Sequence, residues 1–107
     1  MQGPLPVFFP YLALMSRKIR TFKKGFHDII ELCNEIDNEL FQRSVSAIFE
    51  EMETFDSDDD IERGLSLLDE LVIHLNDMDE DIVEPYCDTI AEINDLVEEL
   101  IDEAGSS

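Results

Sequence analysis

The apolar residues of this 107-residue chain recur at intervals of three and four, and that spacing constrains its fold more than any other feature. Phe22, Phe26, Ile29, Cys33, Ile36 and Leu40 are separated by 4, 3, 4, 3 and 4 positions, the stripe that a helix of about 3.6 residues per turn presents to a neighbour. Phe41, Val45, Ile48, Met52 and Phe55 repeat the rhythm one residue out of register. Ile61, Leu65, Leu68, Val72 and Leu75 form a third stripe, and Ile82, Tyr86, Ile90, Ile93, Val97 and Leu100 a fourth. No segment shows the period-two alternation of a half-buried strand. An all-α chain is expected.

The slip between Leu40 and Phe41 admits two readings: a long helix with a skip in its seam, or a turn and a new helix. Neither Pro nor Gly stands there, so a continuous or kinked helix is expected. Gly25 costs about 1 kcal/mol relative to Ala inside a helix and places a frayed start near itself. Asp56-Ser57-Asp58-Asp59-Asp60 is a break rich in capping residues. Asn76 to Asp81 is the next connection, Pro85 suits the first turn of the last helix, and Gly105 suits its end.

Short connections make neighbours antiparallel. The expected architecture is an antiparallel helical bundle of three helices with a long first helix, or of four if that helix breaks near residue 42. Ile30, Leu32, Phe49, Leu67, Leu71, Ile73, Val83, Leu96 and Ile101 widen the apolar faces beyond a two-stranded seam. A bundle core, extended by a homodimer contact, would use them. Residues 16–104 form the single expected domain, between an apolar tail at 1–15 and a short tail at 105–107.

Leu5 to Met15 is apolar but too short to span a bilayer, which takes about 20 residues. Its positive charges follow the apolar run, and Pro6 and Pro10 interrupt it, unlike a secretory leader. Met15-Ser16-Arg17-Lys18 reads like an ordinary start, which makes residues 1–14 an upstream extension on a second reading. A cytoplasmic location is expected.

Charge divides the chain sharply. Residues 1–24 hold Arg17, Lys18, Arg20, Lys23 and Lys24 and no acid; the remainder holds all 27 acids against Arg43 and Arg63. A body so negative repels nucleic acid and anionic membrane and favours cationic partners. The basic arm is expected to lie against the protein's own acidic face.

Little in the sequence supports catalysis, and an enzyme is not expected. Cys33 and Cys87 lack metal or disulfide spacing and are expected to be buried thiols. His27 and His74 have no local nucleophile, and Glu70 to His74 is one residue too wide for the Glu-x-x-His pair of a bundle metal site. Asp77, Asp79, Asp81 and Asp88 imitate a calcium loop, but Ile82 and Pro85 break the pattern, and an acidic capped turn is the better reading. No glycine-rich phosphate loop is present. No cofactor or metal is expected.

The acids themselves are the candidate site. Asp69, Glu70, Asp77, Asp79, Glu80, Asp81, Glu84, Asp88, Glu92, Asp95, Glu98, Glu99, Asp102 and Glu103 crowd the last two helices. Solubility needs a net charge of only about 2 to 8 in a small domain. Acids at the C-terminal end of a helix, as at Glu98 to Glu103, oppose its dipole. A hairpin over residues 60–103 would be roughly 33 Å long and carry about one charge per 2 Å, near the roughly 1.7 Å of duplex DNA.

In composition alone, the chain resembles phage-encoded nucleic-acid mimics of the anti-restriction and anti-CRISPR kind. That resemblance implies an inhibitor whose carboxylates stand where phosphates would sit in the basic groove of a DNA- or RNA-binding protein. A second expectation is an immunity protein, antitoxin or chaperone that neutralises one basic protein through anchors such as Phe49, Phe55 and Tyr86. A third is a helical adaptor or homo-oligomer.

Overall fold

Ser16 opens the first helix in the manner its hydroxyl favours. Its backbone is extended, and its Oγ accepts the Ile19 N–H at 3.3 Å. The same hydroxyl donates to the Asp58 carboxylate, tying this end to the loop before a later helix. The structure, a computed structural model, describes residues 16–105. The expected tail at 1–15, with the second reading of residues 1–14, lies outside the described residues, as do residues 106–107 of the expected tail at 105–107, whose Gly105 is the last residue of the final helix.

Four helices of 15 to 19 residues dominate: α1 (Arg17–Cys33), α2 (Glu39–Glu53), α3 (Asp60–Asp77) and α5 (Cys87–Gly105). A single turn, α4 (Glu80–Val83), and a 3-10 turn, Glu84–Tyr86, lead into α5. Pro85 sits in that 3-10 turn, where its missing donor costs little. Among the described residues there is no strand, as the periodicity requires.

The first helix departs from expectation at both ends. It begins at Arg17 and runs through Gly25, so the basic segment is helix, with Ile19 and Phe22 in the core. It also stops at Cys33 rather than continuing past residue 42. Polar side chains make this turn without Gly or Pro. Asn38 is extended and accepts the Phe41 N–H at 2.8 Å, capping α2. The Gln42 amide donates to Cys33 O at 2.8 Å and Ile36 O at 2.6 Å, satisfying carbonyls at and just beyond the end of α1.

Ile36 is fully buried inside the turn, and Phe41 replaces Leu40 as the next core residue. Leu40 is 74% exposed. The slip in register is therefore the joint between two helices.

At the second joint the acidic run makes no side-chain cap on α3, and Asp60 instead ties down the loop before it. Its carboxylate accepts the N–H groups of Asp56 and Ser57 at 3.0 and 3.2 Å, while Asp59 makes no capping bond. Lys23 reaches from α1 to the end of α2, donating to Phe55 O at 2.9 Å and Glu53 O at 3.4 Å. A cation there satisfies free carbonyls and suits the negative helix end.

All four long helices feed one continuous core, from Ile19, Phe22 and Phe26 through Val45 and Met52 to Leu68, Leu71, Ile93 and Val97. The most extensive contact joins α1 to α5, and α2 packs on α1 and α3. Arg17 and Lys18 at the start of α1 share a cleft with Glu103 near the end of α5, so these helices run antiparallel. Arg63 of α3 meets Glu51 of α2 in the same antiparallel sense.

Candidate functional site

Among the described residues the acids engaged in structure are few and all lie outside α5. Glu51 pairs with Arg63, whose hydrogen bond and charge hold the Glu51 carboxyl below its ordinary value. Glu39 pairs with Arg43 within α2 at 3.2 Å, and Glu53 with His27 at 3.3 Å. Such exposed pairs contribute little to stability. Asp58 and Asp60 are occupied in the loop before α3.

The fourteen candidate acids differ from these. Every one, from Asp69 to Glu103, is exposed. Among the described residues none forms an ion pair or a side-chain hydrogen bond. Apart from Glu70, whose charge is felt by Arg63, their charge is left to solvent.

They do not form one sheet of charge over the α3–α5 hairpin. Asp88, Glu92, Asp95, Glu99 and Asp102 recur by 4, 3, 4 and 3, drawing one line down α5 on the side opposite the buried Ile93, Val97 and Leu100. Glu98 and Glu103 flank that line, and Glu98, Glu99 and Asp102 border a shallow acidic depression with Asp95 and Ile101. Asp69, Glu70 and Asp77 lie on α3. Asp79, Glu80, Asp81 and Glu84 lie in the connection. The groove between α3 and α5 beside that connection is instead lined by Asn76, Cys87, Ile90, Ala91 and Asn94, with Glu80 its one acid.

The basic segment falls beside the acidic helix without pairing to it. Lys24 shares a cleft with Glu99 and Glu103, and Arg17 and Lys18 share another with Glu103. No ion pair joins these bases to α5 among the described residues. Antiparallel packing also sets the positive start of α1 against the negative end of α5, which moderates the dipole cost of its terminal acids.

The aromatic anchors named from sequence are used internally. Phe55 is core, Phe49 packs edge-on to His27 at 5.0 Å between centroids, and the Tyr86 hydroxyl accepts the Asp37 N–H at 3.1 Å. Among the described residues the large exposed apolar side chains are Leu40, Ile73 and Ile101. Of these, Leu40 had a signal in the sequence, the slip that takes it out of the stripe.

Cys33 is buried, which pushes its thiol up to about 12. Cys87 is exposed, contrary to expectation, because it lies on the open side of the first turn of α5. Among the described residues no group of three or more His, Cys, Asp or Glu side chains could hold a metal ion, and no helix is long and apolar enough to cross a membrane. Comparison with known proteins finds no matching family model, no similar curated protein and no similar solved structure.

Proposed function

We propose that this chain is a non-enzymatic acidic binding protein that occupies the basic groove of a DNA- or RNA-binding protein, presenting carboxylates in place of phosphates. On this reading the four long helices act as an antiparallel bundle, rigid enough to hold the charges in line, and the protein works in the cytoplasm. The observation that carries the proposal is the acidic side of α5, where every carboxylate is exposed and unpaired.

Seven acids lie between Asp88 and Glu103, over about 22 Å of helix axis. That is roughly one charge per 3 Å, close to the roughly 3.4 Å between phosphates along a single strand. The five acids of the line alone stand about 5 Å apart along the axis; with the flanking Glu98 and Glu103, the acidic side of α5 reaches that density, which favours fast, salt-sensitive association with a cationic groove. The line on α5 supports the proposal better than the duplex-like hairpin, whose acids are split between separate surfaces.

Affinity capture from the native host at low and high salt, followed by displacement of nucleic acid from the captured protein, tests the reading. The expected result is a basic nucleic-acid-binding protein that releases DNA or RNA when this chain is added. Capture of a basic protein with no nucleic-acid site would instead support a neutraliser such as an immunity protein or antitoxin. Self-association in sedimentation with no basic partner would support an adaptor or homodimer.

A further inference from the structure

We propose that the cleft beside Leu40 is an anchoring site for a basic amphipathic helix of the partner protein. This inference rests on the cationic-partner part of the function proposed above and adds a defined point of attachment to it. Leu40, 74% exposed, stands on the lip of a cleft of about 230 Å³ between the start of α2 and the end of α3. Phe41, Met78 and Ile82 give it apolar walls, and Asp77 and Asp79 stand at its edge. Both acids are exposed, and neither has a cation within 4.0 Å among the described residues.

Two features together select the occupant. An apolar side chain entering between Leu40, Met78 and Ile82 removes a leucine and its neighbours from water, as a buried anchor at an interface does. Asp77 and Asp79 then favour positive charge beside that side chain and disfavour negative charge. A second copy of this chain, with a net charge of −20, brings like charge to the same edge. A helix with an apolar stripe flanked by Lys or Arg satisfies both demands in the helix-in-groove manner.

The test uses two labelled helical peptides of about 14 residues, one of leucine and lysine with a single apolar stripe, the other with glutamine replacing leucine at equal charge. Binding is followed by fluorescence anisotropy at physiological ionic strength, and the contacted residues by amide chemical shifts of the whole protein. The leucine peptide is expected to bind about tenfold tighter than its glutamine counterpart, with shifts centred on Leu40, Ser44 and Met78. Leu40→Ser, at a site too exposed to threaten folding, should abolish most of that difference, and Asp77→Asn with Asp79→Asn should weaken both peptides.

Equal binding of the two peptides overturns the proposal, as does indifference to Leu40→Ser or shifts confined to α5. Failure of the nucleic-acid reading is distinguishable. In that case the protein displaces no DNA or RNA from a captured partner, while the leucine preference and its loss in Leu40→Ser persist.

Discussion

The ring of Phe22 on α1 lies against the backbone of Gly64 on α3, so close that a Cβ added to the glycine would stand 2.3 Å from Cε2 and 2.6 Å from Cζ. Phe55 Cε2 closes the other side at 3.1 Å. Both rings are buried and cannot swing into solvent. Gly64→Ala gains about 1 kcal/mol of helix propensity but overpacks a filled core, which typically costs about 1 to 3 kcal/mol. Net destabilisation is expected, read as a lower urea midpoint with unchanged slope.

Gly25 supplies the opposite case. A Cβ there meets Leu100 Cδ1 at 2.8 Å, the tip of a flexible side chain rather than a wedged ring. Gly25→Ala is therefore expected to be neutral or to stabilise by up to about 1 kcal/mol. The same substitution should thus lower the urea midpoint at Gly64 and leave it unchanged or raise it at Gly25.

Asn38 and Gln42 hold the joint between α1 and α2. Removing the Asn38 cap with Asn38→Ala should cost about 1 kcal/mol, and Gln42→Ala should leave the carbonyls of Cys33 and Ile36 with their backbone donors alone. Faster amide exchange confined to residues 34–42 is the expected signature. Leu40→Ala, at an exposed site, should change stability by less than about 0.5 kcal/mol.

That joint also marks the limit of what the sequence discloses. The stripes from Phe22 to Cys33, Phe41 to Met52 and Ile93 to Leu100 name core residues because burial and helical period coincide there, whereas on α3 the core takes Leu67 and Leu71 and leaves the expected Leu65 and Val72 half-buried. The slip at Leu40 and Phe41 locates a discontinuity but not its kind, since capping by Asn38 and Gln42 depends on where the chain turns and carries no Gly or Pro signal. Exposure of the fourteen acids follows from their type. Their division into a line on α5 and separate groups on α3 and the connection depends on how the helices pack, which composition does not encode.

The two thiols should behave oppositely. One equivalent, Cys87, is expected to react with a disulfide reagent in the native protein and a second only after denaturation, because Cys33 is buried and its pKa is pushed up to about 12. As pH rises above the ordinary thiol value of 9.0, the unfolded chain ionises Cys33 while the native chain keeps it protonated. Stability should therefore fall through that alkaline window, and Cys33→Ala should remove that contribution.

Glu51 and Arg63 give the corresponding acid-side test. The pair lowers the Glu51 pKa from 4.5, so its contribution to stability is present above that value and is lost as pH falls through the lowered one. Carboxyl titration by NMR should place Glu51 below 4.5 and return it toward 4.5 in Arg63→Gln. Because the pair is exposed, added salt should shrink the difference.

The line on α5 makes stability and the proposed activity move in opposite directions. Asp88, Glu92, Asp95, Glu99 and Asp102 are like charges three or four residues apart on one helix, an arrangement that destabilises it. Replacing Glu92, Asp95, Glu99 and Asp102 with Asn or Gln, and keeping Asp88, which suits the positive start of α5, should raise Tm, on the order of 5 °C for a domain of this size, and flatten the dependence of Tm on salt. The same variant should lose displacement of nucleic acid from the captured partner, with each single neutralisation removing a fraction. Measured together by thermal unfolding and competition binding, a gain in one and a loss in the other would show acids retained against folding for the sake of what they bind. A stabilised variant that still competes fully would leave the line without a role in recognition.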